Sequence, residues 1–306
     1  NIISNLKARL SFGATGNERI PAYRYIGTQG RSYYSSNGVA IYGSSPDNKA
    51  NPDLKWESTI QYNAGIDIGI VKDRFQFTAD VYYKKTTQML LPAPIPSVTG
   101  FSTQWQNLGR IDNKGFELTL ISRNISTKDF NWESNFNISF NKNTVKNLGG
   151  ATIIPVNVAG EIRNIGAVLV GQSLGTGYGY MFDGVYQLSD FTWQNNSDPA
   201  LSPVLRTYII KPGVITVAGA TVSPGSFRFK DINADGIIND KDLTVISHSA
   251  PKFIGGFTNT FRYKNFDFSV FFQGSYGNEV INQSRYLLNG FQSKTNISRD
   301  FYYNRW

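Results

Sequence analysis

Asp231, Asn233, Asp235, Asn239 and Asp242 place oxygen-bearing side chains at the first, third, fifth, ninth and twelfth positions of one short stretch, with Gly236 at the sixth. That is the spacing of a calcium loop, because alternate residues of a tight loop turn inward and a hard cation collects oxygen ligands. Gly236 supplies the sharp turn and Ile237 offers its backbone carbonyl. Asn239 acts directly or through water, and Asp242 stands where a bidentate Glu is usual. The candidate metal ligands are therefore Asp231, Asn233, Asp235, Ile237, Asn239 and Asp242, with a calcium ion as the cofactor and rigidity, not catalysis, as its role. The competing reading is a polar turn that closes a hairpin without metal. The shorter terminal carboxylate and the lack of a flanking helix speak for that reading.

Other reactive types are sparse. The 306 residues contain no Cys and one His, which excludes disulfides, zinc–thiolate sites and His clusters. His248 has no nucleophile in a recognisable elbow near it, so it reads as a loop histidine. Gly171 to Gly184 is glycine-rich, but no Lys-Ser/Thr follows, so it is not a phosphate loop. Asp67, Asp80 and Glu117 could be imagined as a glycosidase pair, yet such carboxylates are ordinary in a solvated interior. No catalytic residue is assigned.

The elements that would hold these residues are strands. Ile60, Tyr62, Ala64, Ile66, Ile68 and Ile70 are apolar at every second position, with Gln61, Asn63, Gly65, Asp67 and Gly69 between them. The same count holds for Phe75 to Lys84 and for Asn131 to Asn141. Shorter examples run through Leu6 to Phe12, Phe116 to Leu120, Phe257 to Tyr263 and Phe266 to Phe272. These make seven strands, with two more expected inside Thr144 to Pro251. No amphipathic helix is evident, and no window has the roughly 18 apolar residues of a membrane helix, while mean hydropathy is −0.29. A transmembrane β-barrel stays open, since its strands alternate and average to mild hydropathy.

The connections alternate in size. Short turns are Val71 to Arg74, Asn124 to Asp129 and Tyr263 to Asn265. Long ones run from about Asn17 to Leu54, Thr86 to Gln106, Lys142 to Pro251, and onward from Gly277. Outer-membrane barrels have short periplasmic turns and long extracellular loops. Trp56, Tyr62, Tyr82, Tyr83, Trp105, Trp132, Tyr263 and Phe266 lie near strand ends, as an aromatic girdle would. The net charge of +8 comes from Lys and Arg spread over turns and loops without a single stripe. That argues for anionic lipid or lipopolysaccharide and against nucleic acid. Tyr23, Tyr25, Tyr33, Tyr34, Tyr42, Trp105, Tyr302 and Tyr303 sit in the long loops, where flat rings suit a sugar, a partner or the loop's own packing.

Several strings together carry a resemblance. Asn51-Pro52-Asp53-Leu54-Lys55-Trp56-Glu57, then Tyr62 to Asp67, Gly13 to Asn17, Asp80 to Lys84 and Asn107 to Leu118 are among them. Gly177 to Gly184, Pro251 to Phe257, Tyr263 to Asp267 and Gln273 to Gly277 complete the set. In this order they resemble the barrel of SusC/RagA-type TonB-linked outer-membrane transporters of Bacteroidota-like bacteria. The resemblance implies an all-β, antiparallel transmembrane barrel of about 22 strands with long extracellular loops, plugged by an N-terminal domain. It also implies TonB-driven import of an oligosaccharide or peptide, with a SusD-like surface lipoprotein as lid. Residues 1–306 would be a portion of that barrel, with 142–251 as a long extracellular excursion carrying the loop at 231–242.

Asn1 follows no basic or apolar leader, and Phe301 to Trp306 ends without a tail, so both ends read as cuts. Plug, TonB box and final strands would then lie outside this sequence. The function expected is that of a transporter of the bacterial outer membrane, not an enzyme. The alternative is an extracellular soluble β-sheet adhesin or carbohydrate-binding module, whose alternating rows would cover a sandwich core.

Overall fold

The computed structural model describes residues 2–156, 166–193, 207–282, 284–285 and 297–304. Seven long strands carry the first of two compact units: β1 (Ile3–Asn17), β4 (Glu57–Ile70), β5 (Phe75–Thr87), β8 (Arg110–Ser126), β9 (Phe130–Asn147), β18 (Phe253–Tyr263) and β19 (Phe266–Tyr276). They form one sheet in the order β1-β4-β5-β8-β9-β18-β19, and every pairing is antiparallel. These are the seven strands expected from alternation. Two hairpins fill long connections: β2 (Gln29–Ser36) with β3 (Val39–Pro46), and β6 (Leu90–Pro94) with β7 (Thr103–Asn107).

The excursion after β9 holds more strand than expected. Eight short segments replace the anticipated two: β10 (Ile153–Val156), β11 (Gly166–Leu169), β12 (Thr176–Gly179), β13 (Phe182–Val185), β14 (Phe191–Trp193), β15 (Tyr208–Ile210), β16 (Phe227–Phe229) and β17 (Thr244–His248). None exceeds five residues, which is too short for a period of two to show against turn residues. Most of this excursion forms the second unit, and its core includes Tyr186, whose hydroxyl donates to the Ile215 carbonyl at 2.8 Å. A short helix, Arg299–Asn304, lies near the chain end.

Register decides which side chains share a face of the long sheet, because directly opposed residues in antiparallel strands point the same way. Leu10, Ala64, Val81, Phe116 and Phe140 occupy one such row. Rings on this apolar face gather in two belts. At the long-connection end Phe116, Phe140, Phe253 and Tyr276 follow one another at centroid separations of 6.4, 5.9 and 5.5 Å. At the short-turn end Trp132, Phe261 and Phe268 stack at 5.7 and 6.1 Å. Phe253 and Phe261 lie on one strand, about 27 Å apart along it at roughly 3.4 Å per residue. With a strand tilt near 40° the belts would be about 20 Å apart in height, close to the apolar band of a membrane barrel.

Polar groups that interrupt this face are bonded to one another. Asn259 Oδ1 accepts from Trp132 Nε1 at 3.0 Å and from Ser134 Oγ at 2.6 Å. Ser134 Oγ in turn accepts from Asn124 Nδ2 at 2.7 Å, and Ser122 Oγ donates to Asn124 Oδ1 at 2.9 Å. Charged side chains on this face gather at the long-connection end: Lys85, Arg110, Asp112, Lys114 and Lys142, with Lys146 beside Asp112 at the register shift. The linear sequence, where Lys and Arg look scattered, hides this gathering, because pairing brings together residues far apart in the chain.

The short turns are tight. Val71, Lys72 and Asp73 all take left-handed φ values of 53, 54 and 58°. The Arg74 guanidinium donates to the carbonyls of Arg123 and Asn124 on the next strand. At the opposite end Ile111, Val145 and Leu148 form a small buried core, joined by Met89, Leu91, Ile154 and Val168. Ile111 and Val145 oppose each other on the polar face, so the loops at this end fold inward over it.

Asn259→Ala strips Trp132 Nε1 and Ser134 Oγ of their acceptor within an apolar surface. It is expected to cost about 1–3 kcal/mol, read as a lower unfolding midpoint of the full-length protein in detergent, while Ser269→Ala on β19 stays near wild type.

Candidate functional site

The polar face of the sheet is built by side chains that reach across strands. Arg9 on β1 donates to both Asp67 oxygens on β4, at 2.9 and 3.0 Å, and to Asp80 Oδ2 on β5 at 2.9 Å. Thr78 Oγ1 adds a bond to Asp67 at 3.0 Å. Arg9, Gly65 and Asp80 lie in one row, and a Cβ built on Gly65 would collide with Asp80 and Arg9. The missing side chain is what lets the guanidinium span the intervening strand.

Tyr82 repeats the device. Its ring lies over Gly115, where a Cβ would meet it, and its hydroxyl donates to Asn141 Oδ1 at 3.1 Å. Tyr82 therefore belongs to the polar face and not to the aromatic girdle in which the sequence placed it. Tyr83, its neighbour, points to the apolar face and donates to Asp112 Oδ2 at 2.9 Å. Period-two geometry forces the two apart, so two consecutive tyrosines cannot both serve one girdle. The carboxylates Asp67 and Asp80 are held by Arg9, and Glu117, opposite Asp80 in register, accepts from Ser139 Oγ at 3.3 Å.

The loop from Asp231 to Asp242 lies in the second unit. Asp242 is fully buried and closes it: Oδ1 accepts from the N–H of Ile232 at 2.8 Å and Asn233 at 3.4 Å, and Oδ2 from that of Asn239 at 2.8 Å. The Asn239 N–H, opposed by burial and reinforced by the other two, holds this carboxyl below its ordinary range. Asn239 Oδ1 accepts from Lys241 N at 2.9 Å, so this side chain caps the short helical turn Asp240–Asp242. Asp231 Oδ2 accepts from Gly236 N at 2.8 Å, Asn233 Oδ1 from Asp235 N at 3.1 Å, and Asp235 Oδ1 from Ile237 N at 3.1 Å. Gly236 takes φ 87°, the turn expected of it. Ile238 is fully buried and pairs its backbone with Thr216 and Ala218.

Asp231 Oδ1 is shielded from solvent and has no hydrogen-bond partner. A buried, unpaired carboxylate oxygen is costly unless a cation meets it, so this donor set fits calcium at that atom. No three His, Cys, Asp or Glu side chains converge as a metal group among the described residues. A cation here would draw on Asn233 and backbone oxygens as well as carboxylates. His248 lies in β17 opposite Thr176, and its N–H donates to Glu279 Oε2 at 2.8 Å.

A two-faced sheet of long antiparallel strands, belted by aromatic rings, is the geometry of a membrane barrel. Residues 2–286 match the family described as TonB dependent receptor-like, beta-barrel. The chain belongs to that family. TonB-dependent receptor P3 of Formosa agariphila is 34% identical over 285 residues, which are 92% of this chain and 26% of the relative. TonB-dependent receptor SusC of Bacteroides thetaiotaomicron is 31% identical over 287 residues, again 92% of this chain and 26% of the relative. The chain thus spans about a quarter of the length of these curated relatives. Among solved structures, that of the RagAB peptide transporter superposes with TM-score 0.69 at 23% identity, covering 94% of this chain and 28% of that one, which shows a shared fold.

The chain is thereby a portion of an outer-membrane barrel. Its Ile, Phe and Val rows face lipid, and the Arg9, Asp67 and Asp80 face lines the interior. Among the described residues β1 and β19 are the two edges of the sheet.

Gly65→Val is expected to break the Arg9 crossing and lower the temperature at which the full-length barrel loses its heat-resistant gel form. Gly13→Val, where nothing lies within 4 Å of an added Cβ, is expected to change it little. A second expectation concerns acid. Asp242 has a folded-state value below its unfolded one, so the stability it gives is complete above about pH 4 and is lost as pH falls through the folded value. In chelator, proteolysis within 231–242 should stay flat from neutrality down to that point and then rise. Asp242→Asn should be cleaved at neutral pH at the rate the wild type reaches only in acid.

Proposed function

We propose that the protein carrying this chain imports a bulky nutrient, an oligosaccharide or a peptide, across the outer membrane. Energy would come through TonB, and a SusD-like surface lipoprotein would close over the extracellular mouth. The observation that carries the reading is the polar face of the seven-stranded sheet. It is lined by Asn, Gln, Ser, Thr and a bridged Arg9–Asp67–Asp80 cluster, which suits a wet path walled off from lipid. Three further facts support it: membership of the TonB-dependent family, a relative named SusC, and fold likeness to a structure titled a peptide transporter. The role is transport, and no residue is given a catalytic one.

All long connections leave the sheet at one end, which this reading makes extracellular. The loop at 231–242 then belongs to the extracellular excursion of 142–251. There it would hold calcium through Asp231, Asn233, Asp235, Ile237 and Asp242, with Asn239 as a cap or a water-mediated ligand. Calcium would fix the loop's shape and take no part in a reaction.

Cells lacking the protein are expected to lose uptake of one class among labelled oligosaccharides and oligopeptides, and to regain it with the complete gene. Unchanged uptake of both classes overturns the import reading. For the metal, calorimetry on the full-length protein should show calcium binding that Asp231→Asn/Asp235→Asn abolishes. Equal heats for variant and wild type would leave the loop a metal-free turn.

A further inference from the structure

We infer that the lipid-facing surface carries a binding site for the phosphate of an outer-leaflet lipid, built by Lys114 and Lys142. The two residues are exposed and directly opposed on β8 and β9, both pointing to the apolar face. Directly opposed like charges destabilise a sheet, so an anion between them relieves a repulsion that the protein alone leaves in place. Neither makes a salt bridge among the described residues.

The surroundings leave the charge uncompensated. Asp112 is the single acid on this face, and it is taken: Arg110 donates to both its oxygens at 2.7 Å, and the Tyr83 hydroxyl donates at 2.9 Å. Lys85, opposite Asp112 in register, adds a third cation to the patch. Lys146, at the register shift between β8 and β9, lies near enough to Asp112 to act on its charge; towards the short turns the outward positions paired across the seven strands are uncharged.

Height selects the ligand. The lysine pair lies one step beyond the Phe116–Phe140 pair, about 7 Å further along the strands. Tyr62 and Tyr83 occupy the same row as the lysines. Tyrosine rings sit at the lipid–water boundary, where phosphates lie. The patch is at the long-connection end and faces out of the barrel, so it meets the outer leaflet and not the cargo. A cation row above an uncharged apolar band fits a lipid whose head group bears phosphate esters, since its acyl chains have the Phe116 and Phe140 surface to lie on. This inference does not depend on what the barrel imports.

The test uses the full-length protein, delipidated in neutral detergent and titrated with diphosphorylated lipid A. Bound lipid is counted by native mass spectrometry. Lys114→Gln/Lys142→Gln is expected to weaken retention by about tenfold or more, whereas Lys114→Arg/Lys142→Arg and the opposite-end control Lys128→Gln retain it. Retention in the wild type should fall as salt rises. Fully dephosphorylated lipid A should bind the wild type no better than it binds the double Gln variant. The site is overturned if the double Gln variant retains diphosphorylated lipid A as the wild type does, or if the dephosphorylated lipid is held equally well. Inorganic phosphate competing at concentrations equal to the lipid would make this a free-anion site and overturn the assignment to lipid.

Discussion

The backbone hydrogen-bond ladder governs everything else in this chain. Inside lipid no water can satisfy an amide or a carbonyl, so each of the seven long strands must be paired along its length, and the register cannot slip without turning its side chains to the wrong medium. The belts of rings, the uncharged Ile and Phe rows and the polar interior all follow from that fixed register. So does the treatment of exceptions. Where Asn259, Ser134, Asn124 and Ser122 intrude on the apolar surface, they form a run of bonds with the Trp132 indole, so the indole N–H and both serine hydroxyls are taken.

On the interior face the same ladder sets strand spacing, and the protein spans that spacing by removing side chains. Gly65 and Gly115 each lie beneath a long residue from the neighbouring strand, Arg9 and Tyr82, which then reaches a partner one strand further on. Three strands become tied by one side chain. Interior carboxylates that would otherwise repel across adjacent strands are thereby converted into ties.

Much of this was legible in the residues. Alternation marked all seven strands: in three it runs for ten or more residues, which cannot be mistaken for helix, and the four shorter runs share the same period. The turn at Gly236, at φ 87°, was visible because its geometry is local. What failed was whatever depended on pairing. Tyr82 looked like a girdle residue from its place near a strand end, and only register shows it crossing Gly115 toward Asn141. The hairpin β2–β3 was missed inside a connection read as a loop, although Asn37-Gly38, now seen at φ 52 and 78°, is the strongest short signal for such a turn. The basic patch of Lys85, Lys114 and Lys142 could not be seen at all, because its members come from three strands.

The alternation of short turns and long connections also sets what each pairing costs in chain entropy. The pairings β4–β5, β8–β9 and β18–β19 each close over a few residues, and the first is clamped by the left-handed run Val71 to Asp73. Joining β9 to β18 brings Ser139 to Ile254 across the entire excursion, a loop closure whose entropy cost is far larger. By sequence separation alone, the three hairpins carry the smallest closure cost of the sheet, and the β9–β18 pairing carries the largest.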